Sequence, residues 1–282
     1  MLERILAIAD ADPRVRAAIL SGSRTDPAAP ADRWRDHDLV FVVHDAAPYR
    51  ADPDWVDVFG ERTILQRPDL MGDAPPPPVG RGGDTWLMLF EDDTRIDLTL
   101  RTVAEMASYR HDGPARVLFD LDGVVPPPPD PAAPHFVPEP PDAAVFADVC
   151  NEFWWVAPYV AKALARGETT YAHHHLDVVL RAQLLTVLGW EVAAASGDRR
   201  GPGKYGRYLR RELTPEAWAR LEATYAGADP DATWDALEAM GALFRDVARG
   251  VAARYGFVYP EHDDERVSAH LRRVRSAAVD LD

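Results

Sequence analysis

Apolar and polar positions follow two different periods along this chain. Leu2, Ile5, Leu6 and Ala9 fall at helical spacing, which predicts a helix over 2–10 that Asp12-Pro13 ends. VRAAILS (15–21) is a short apolar run and reads as a buried strand. LVFVV (39–43) is β-branched and aromatic, as a central strand should be. GERTILQ (60–66) is a further strand candidate. TWLMLFED (85–92) and TRIDLTL (94–100) flank the polar pair Asp92-Asp93 and predict a hairpin. From about residue 142 the period is helical almost to the end, with candidates at 142–166, 170–188, 214–225, 232–255 and 263–277. Pro158 is expected to kink or interrupt the first of these. Thr214-Pro215-Glu216 reads as a helix start, with Thr at the N-cap and Pro at the first helical position.

Nine prolines between residues 126 and 141 exclude a helix interior or a central strand there. The stretch reads as a linker, partly polyproline II. APPPPV (74–79) reads as a similar loop inside the first domain. Mixed helix and strand patterns before the linker and helices after it give a two-domain layout. An α/β or α+β domain spans 1–125, the linker 126–141 and a helical domain 142–282, with a cleft expected between the domains.

Composition narrows the function. A chain of 282 residues with 47% apolar residues can fill a core. It has no 18-residue apolar run, and its N-terminus lacks the basic start of a signal peptide, so no membrane association is expected. Cys150 is the only cysteine, which excludes an internal disulfide and suits the cytoplasm; its role reads as packing. A net charge of −15 argues against gripping nucleic acid through its phosphates. It suits a cationic substrate, or serves solubility alone. Only two of 31 basic residues are lysines, Lys162 and Lys204, and Asn151 is the only asparagine. Against so strong an arginine bias, those three positions draw interest.

Candidate chemistry begins with Asp36 and Asp38, which share a face if a strand starts near Asp36. Two like charges there are stable with a divalent cation between them, or with one carboxyl protonated; Mg²⁺ takes such oxygen ligands. Asp97 lies on the polar face of RIDLTL, with Arg95 and Thr99, and would complete a three-carboxylate set. Upstream, Gly22 and Ser23 offer close backbone approach and a hydroxyl for phosphate oxygens, and Arg24 offers charge-assisted contacts. Taken singly, each element also reads as a solvated loop. HHH (173–175) reads as a polar helix start rather than a zinc site, because no cysteine or further histidine stands at ligand spacing. GRGGD (80–84) reads as a loose turn, and ERVSAHLRRVR (265–275) as a solvated helix face.

The order Gly-Ser-Arg, Asp-x-Asp, then Asp on a later strand resembles the nucleotidyltransferase superfamily typified by DNA polymerase β. SGSRTDP (21–27), RDHDLVFVV (35–43), LQRPDLM (65–71) and FEDDTRIDLTL (90–100) resemble segments of the aminoglycoside 6-adenylyltransferases that modify streptomycin. NEFWWVAPYVAKALARGETTYAHHHLD (151–177) and GKYGRYLRREL (203–213) continue that resemblance. His174-His175 departs from the acidic/His pair of that family, and prolines replace its loop at 74–79.

The resemblance implies an α+β fold: a nucleotidyltransferase domain with a mixed sheet flanked by helices, followed by an all-α bundle that binds substrate. It implies transfer of AMP from ATP to a hydroxyl of a cationic aminoglycoside, with Mg²⁺, two ions, as cofactor. Asp36, Asp38 and Asp97 would be the metal ligands. Gly22, Ser23, Arg24, Lys162 and Lys204 would contact the nucleotide, each lysine being otherwise a surface residue. Glu152, Trp155, Tyr159 and Asp177 would contact the acceptor. Asp97 ranks first as general base and Glu152 second. The protein is expected to act as a monomer or weak homodimer. Another acceptor hydroxyl, or a non-catalytic nucleotide-binding relic, are the competing readings.

Overall fold

The computed structural model describes residues 1–27, 29–72, 83–130, 136–197 and 200–279. The proline loop 74–79 and most of GRGGD lie outside the described residues. The chain divides into two compact units, Met1–Ala133 and Pro134–Asp282. That division falls within the proline-rich stretch, whose described residues carry neither helix nor strand.

Unit 1 comprises α1 (Leu2–Ala11), β1 (Val15–Ser21), β2 (His37–Val43), α2 (Ala47–Ala51), β3 (Arg62–Gln66), β4 (Asp84–Phe90), β5 (Arg95–Thr102) and β6 (Ala115–Asp120). The strands form one sheet in the order β3-β4-β5-β2-β1-β6. β2 and β5 pair in parallel, while the other four pairings are antiparallel. Residue alternation sorts the sheet into two faces. Leu39, Phe41, Trp86, Met88, Ile96 and Leu98 pack on one side with Ile5 and Ala9 of α1. Ala17, Ile19, Val40 and Val42 face the other side, with Met106 and Tyr109. Asp38 and Asp97 belong to that second face, at the end where its apolar cover stops. The hairpin forms at Asp92-Asp93, with Asp93 at φ 63° and Phe90 N–H donating to Thr94 O at 2.9 Å. β6 has no counterpart in the apolar pattern. It is an edge strand whose residues past Ala115 are mostly half-exposed, so no alternation marks it.

Unit 2 comprises α3 (Ala143–Ala165), α4 (Thr169–His174), α5 (Arg181–Ala195), α6 (Leu209–Glu212), α7 (Pro215–Glu222), α8 (Pro230–Tyr255) and α9 (Glu261–Val279). Asp142, Thr214 and Asp229 cap α3, α7 and α8, each side chain accepting a backbone N–H three residues on. Pro158 does not interrupt α3. Phe153, Trp154, Ala157, Val160 and Ala161 are all buried, so tertiary packing holds both halves of the helix despite the missing N–H. A π-helical turn, His175–Leu180, joins α4 to α5 and makes the stretch helical from Thr169 to Ala195. That stretch is long and apolar enough to cross a membrane, yet half of its most apolar window is buried inside the protein. Leu176, Leu180, Leu184, Val187 and Leu188 commit it to the unit 2 core. Phe153 stacks on Phe244 at 3.8 Å between ring centroids, joining α3 to α8.

Candidate active site

β2 and β5 run in parallel with Asp38 directly opposite Asp97, while Ser21 at the end of β1 stands opposite Asp38 on its other side. Register alone therefore sets two carboxylates on neighbouring strands of one face. β2 begins at His37, so Asp36 lies just outside the strand, in the segment that leads into it. Gly22 closes the third side. Its φ of +69° favours glycine, and a Cβ there would stand 2.1 Å from Asp38 Oδ2. The backbone of the Gly-Ser-Arg turn (Gly22–Arg24) thus touches the Asp38 carboxylate. Gly22→Ala is expected to cost roughly 1–3 kcal/mol of stability and to push Asp38 out of place, read as a lower Tm together with a lower kcat.

Arg24 is anchored rather than free. Its Nε donates to Asp36 O at 2.9 Å and its Nη2 to Arg35 O at 2.8 Å. It ties the turn to the acidic segment. Thr25 Oγ1 donates to Pro114 O at 2.6 Å and fixes the far side of the turn.

Charge is concentrated here. Burial, then Asp97 and Asp36, push the Asp38 carboxyl up to about 6. His37 is buried, and burial followed by Arg24 lowers its imidazole to about 4, leaving it neutral. One cation pairs with two of the three acids. Arg95 donates Nε to Asp97 Oδ1 and Nη2 to Asp97 Oδ2, both at 2.9 Å, and its Nε lies 3.7 Å from Asp36 Oδ2. Hydrogen bonding to Asp97 holds the Arg95 guanidinium above its usual range. Arg95 stands two residues before Asp97 on the same strand face, which is the sequence signal for this contact.

Among the described residues no group of three His, Cys, Asp or Glu side chains is arranged to hold a metal ion. The donor set nevertheless fits a hard divalent cation. It offers only carboxylate oxygens, it crowds like charges, and a guanidinium already stands in as the counter-cation.

Unit 2 gathers four of the six remaining candidates on one helix. Glu152, Trp155, Tyr159 and Lys162 recur at spacings of three and four and share a face of α3. The adjacent tryptophans part as helix geometry requires: Trp154 is buried and Trp155 is 64% exposed. Trp155 Nε1 donates to Tyr159 OH at 3.0 Å, and Lys162 Nζ lies 5.1 Å from the Tyr159 ring centroid. His175, first residue of the π turn, packs edge-on against Tyr159 at 5.6 Å and lies 4.2 Å from the Tyr171 ring. The result is an exposed aromatic surface bordered by one acid and one lysine.

Asp177 is held elsewhere. Its carboxylate accepts from Arg181 at 3.2 Å and pairs with His173 Nδ1 at 2.9 Å, and buried Arg181 also donates to Thr224 O at 2.7 Å. The expected His173-Asp177-Arg181 face forms, but as an internal ion-pair ladder. Lys204 is exposed in a short turn, Lys204–Gly206, with Nζ 5.5 Å from the Tyr205 ring centroid. Gly203, Tyr205 and Gly206 there all have positive φ, which fixes how the lysine is presented. Cys150 is buried, and burial raises its thiol to about 12, so it packs rather than reacts.

A family model described as Streptomycin adenylyltransferase matches residues 1–274. The aminoglycoside 6-adenylyltransferase of Campylobacter jejuni is 33% identical over 279 residues, covering 99% of this chain and 96% of that protein. Its counterpart in Bacillus subtilis is 33% identical over 266 residues, covering 94% and 93%. A crystal structure of an aminoglycoside 6-adenyltransferase from Bacillus subtilis aligns over 98% of this chain and 97% of its own, at 29% identity and a TM-score of 0.48. The chain belongs to the streptomycin adenylyltransferase family.

Proposed function

We propose that this protein transfers AMP from ATP to the 6-hydroxyl of streptomycin, releases pyrophosphate, and so confers resistance to the drug. The observation that carries the reading is the register of β2 and β5, which sets Asp38 beside Asp97 with Gly22 against the Asp38 carboxylate. In the reaction the acceptor oxygen bonds to the α-phosphorus, the bond to the pyrophosphate oxygen breaks, and the hydroxyl proton passes to Asp97. Asp36 and Asp38 would hold one Mg²⁺, and the same pair with Asp97 a second, which would supply charge neutralisation for the triphosphate and acidify the hydroxyl. Gly22, Ser23 and Arg24 hold the β- and γ-phosphates, and Lys162 and Lys204 add cationic contacts to the triphosphate. Their work is mainly positioning and electrostatic.

The acceptor is polycationic, and the exposed stripe of α3 suits it. Glu152 pairs with a guanidinium or amine, and Trp155 and Tyr159 offer ring faces to a cation. Trp155→Ala is expected to raise the KM for the aminoglycoside about tenfold with the KM for ATP unchanged, in steady-state assays varying each substrate.

The decisive assay supplies ATP, Mg²⁺ and a panel of aminoglycosides, and measures pyrophosphate release and product mass. An AMP-sized gain on streptomycin supports the proposal. Gain only on other aminoglycosides would reassign the acceptor, and no turnover with any of them would refute the proposed activity.

A further inference from the structure

Arg95 opens β5, and its guanidinium occupies both oxygens of Asp97 while also approaching Asp36. Two of the three carboxylates are thereby answered by one side chain. A fork bound to both oxygens leaves no short approach for another cation on that edge of Asp97. The other nearby cation cannot take this part, because Arg24 is committed to the carbonyls of Arg35 and Asp36. The Arg95 side chain is 46% exposed and that of Asp97 21%, so solvent screens the pair in part although the fork is bidentate. The Arg95 head can therefore reach water without any other part of the fold moving.

We propose that Arg95 is a placeholder cation. In the metal-free protein it holds Asp97 and neutralises the acidic set, and it swings out when a divalent cation binds. Arg95 is then a positioning residue, and metal binding is an exchange of one cation for another. The inference rests on the reading of Asp36, Asp38 and Asp97 as metal ligands.

The test follows the full-length protein without nucleotide. The Arg95 Nε–H signal is assigned in ¹⁵N-arginine NMR spectra by its loss in Arg95→Lys, and Mg²⁺ is then titrated while calorimetry reports binding. The Arg95 signal should move with the same saturation curve as the heat. Arg95→Gln should bind Mg²⁺ roughly three- to tenfold more tightly than the natural protein. Arg95→Lys keeps the charge without the fork and should fall between the two. Binding of Mg²⁺ with no movement of the Arg95 signal would overturn the proposal. So would equal affinity in the Lys variant and the natural protein, which would reduce the Gln effect to simple loss of charge. Absence of Mg²⁺ binding in all three proteins would instead overturn the metal reading beneath it.

Discussion

Replacing Asp38 by Asn is expected to lower kcat by roughly 1,000-fold or more while leaving the fold in place. Asp38 stands between Ser21 and Asp97 across the sheet and touches the Gly22 backbone, so no other acid can move into its position. Asn keeps the shape and gives up the charge. The fold gains from the change, since burial, Asp97 and Asp36 all disfavour the ionised form of Asp38. The sign follows from linkage. A carboxyl raised to about 6 in the folded state binds more protons there than in the unfolded chain, whose value is about 4, so its contribution falls as pH rises between those values. The Tm of the metal-free Asn variant should equal or exceed that of the natural protein at pH 7. Its stability should also change less between pH 4 and about 6. Pyrophosphate-release kinetics and scanning calorimetry report both halves; full turnover by the Asn variant would remove Asp38 from the site.

The largest loss of stability is expected at Asp264, in unit 2. This buried carboxylate of α9 accepts two bonds from Arg245 at 2.6 Å each, one from Tyr259 OH at 2.8 Å and one from Ser268 Oγ at 3.0 Å. Trp154 Nε1 of α3 donates to the same Tyr259 OH at 3.0 Å, so α3, α8 and α9 meet at one acid. Burial alone would raise the Asp264 carboxyl, but the bonds from Arg245, Tyr259 and Ser268 outweigh it and hold it below its usual value. Asp264→Ala leaves Arg245 and Tyr259 without their partner and should cost about 3–5 kcal/mol. For a unit of this size that is a fall in Tm of roughly 6–20 °C. A depressed carboxyl stabilises the fold above its unfolded value near pH 4 and loses that contribution as pH falls below it. The natural protein should therefore lose stability in acid more steeply than the Ala variant, read by calorimetry across pH 3 to 7. Parallel acid limbs would show that the network carries little weight.

Much of this was legible in the sequence because the signals were local. The 100° step between neighbours separates Trp154 from Trp155, alternation puts Asp97 on the polar face of its strand, and Thr214-Pro215 announces α7. The pairing of β2 with β5 is not local, so the adjacency of Asp38 and Asp97 came from the order of motifs rather than from any spacing. The contact of Arg95 with Asp97 is local, two residues along one strand face, whereas its approach to Asp36 depends on the pairing of β5 with β2. β6 escaped notice because an exposed edge needs no apolar alternation. α3 continues through Pro158 because burial on both sides of it outweighs one missing hydrogen bond. Asp177 looked available in the sequence, but the fold gives it to Arg181 and His173.

The parallel ladder between β2 and β5 also bears on how the protein folds. Asp38 and Asp97 lie about 60 residues apart in the chain, and β3 and the β4–β5 hairpin intervene. Local hairpins close quickly, whereas a distant parallel pairing waits on a large loop-closure entropy. Asp38 and Asp97 are therefore expected to meet late in the assembly of the sheet. Recovery of activity after dilution from denaturant should lag behind recovery of helical signal, making turnover a reporter of a late step of refolding.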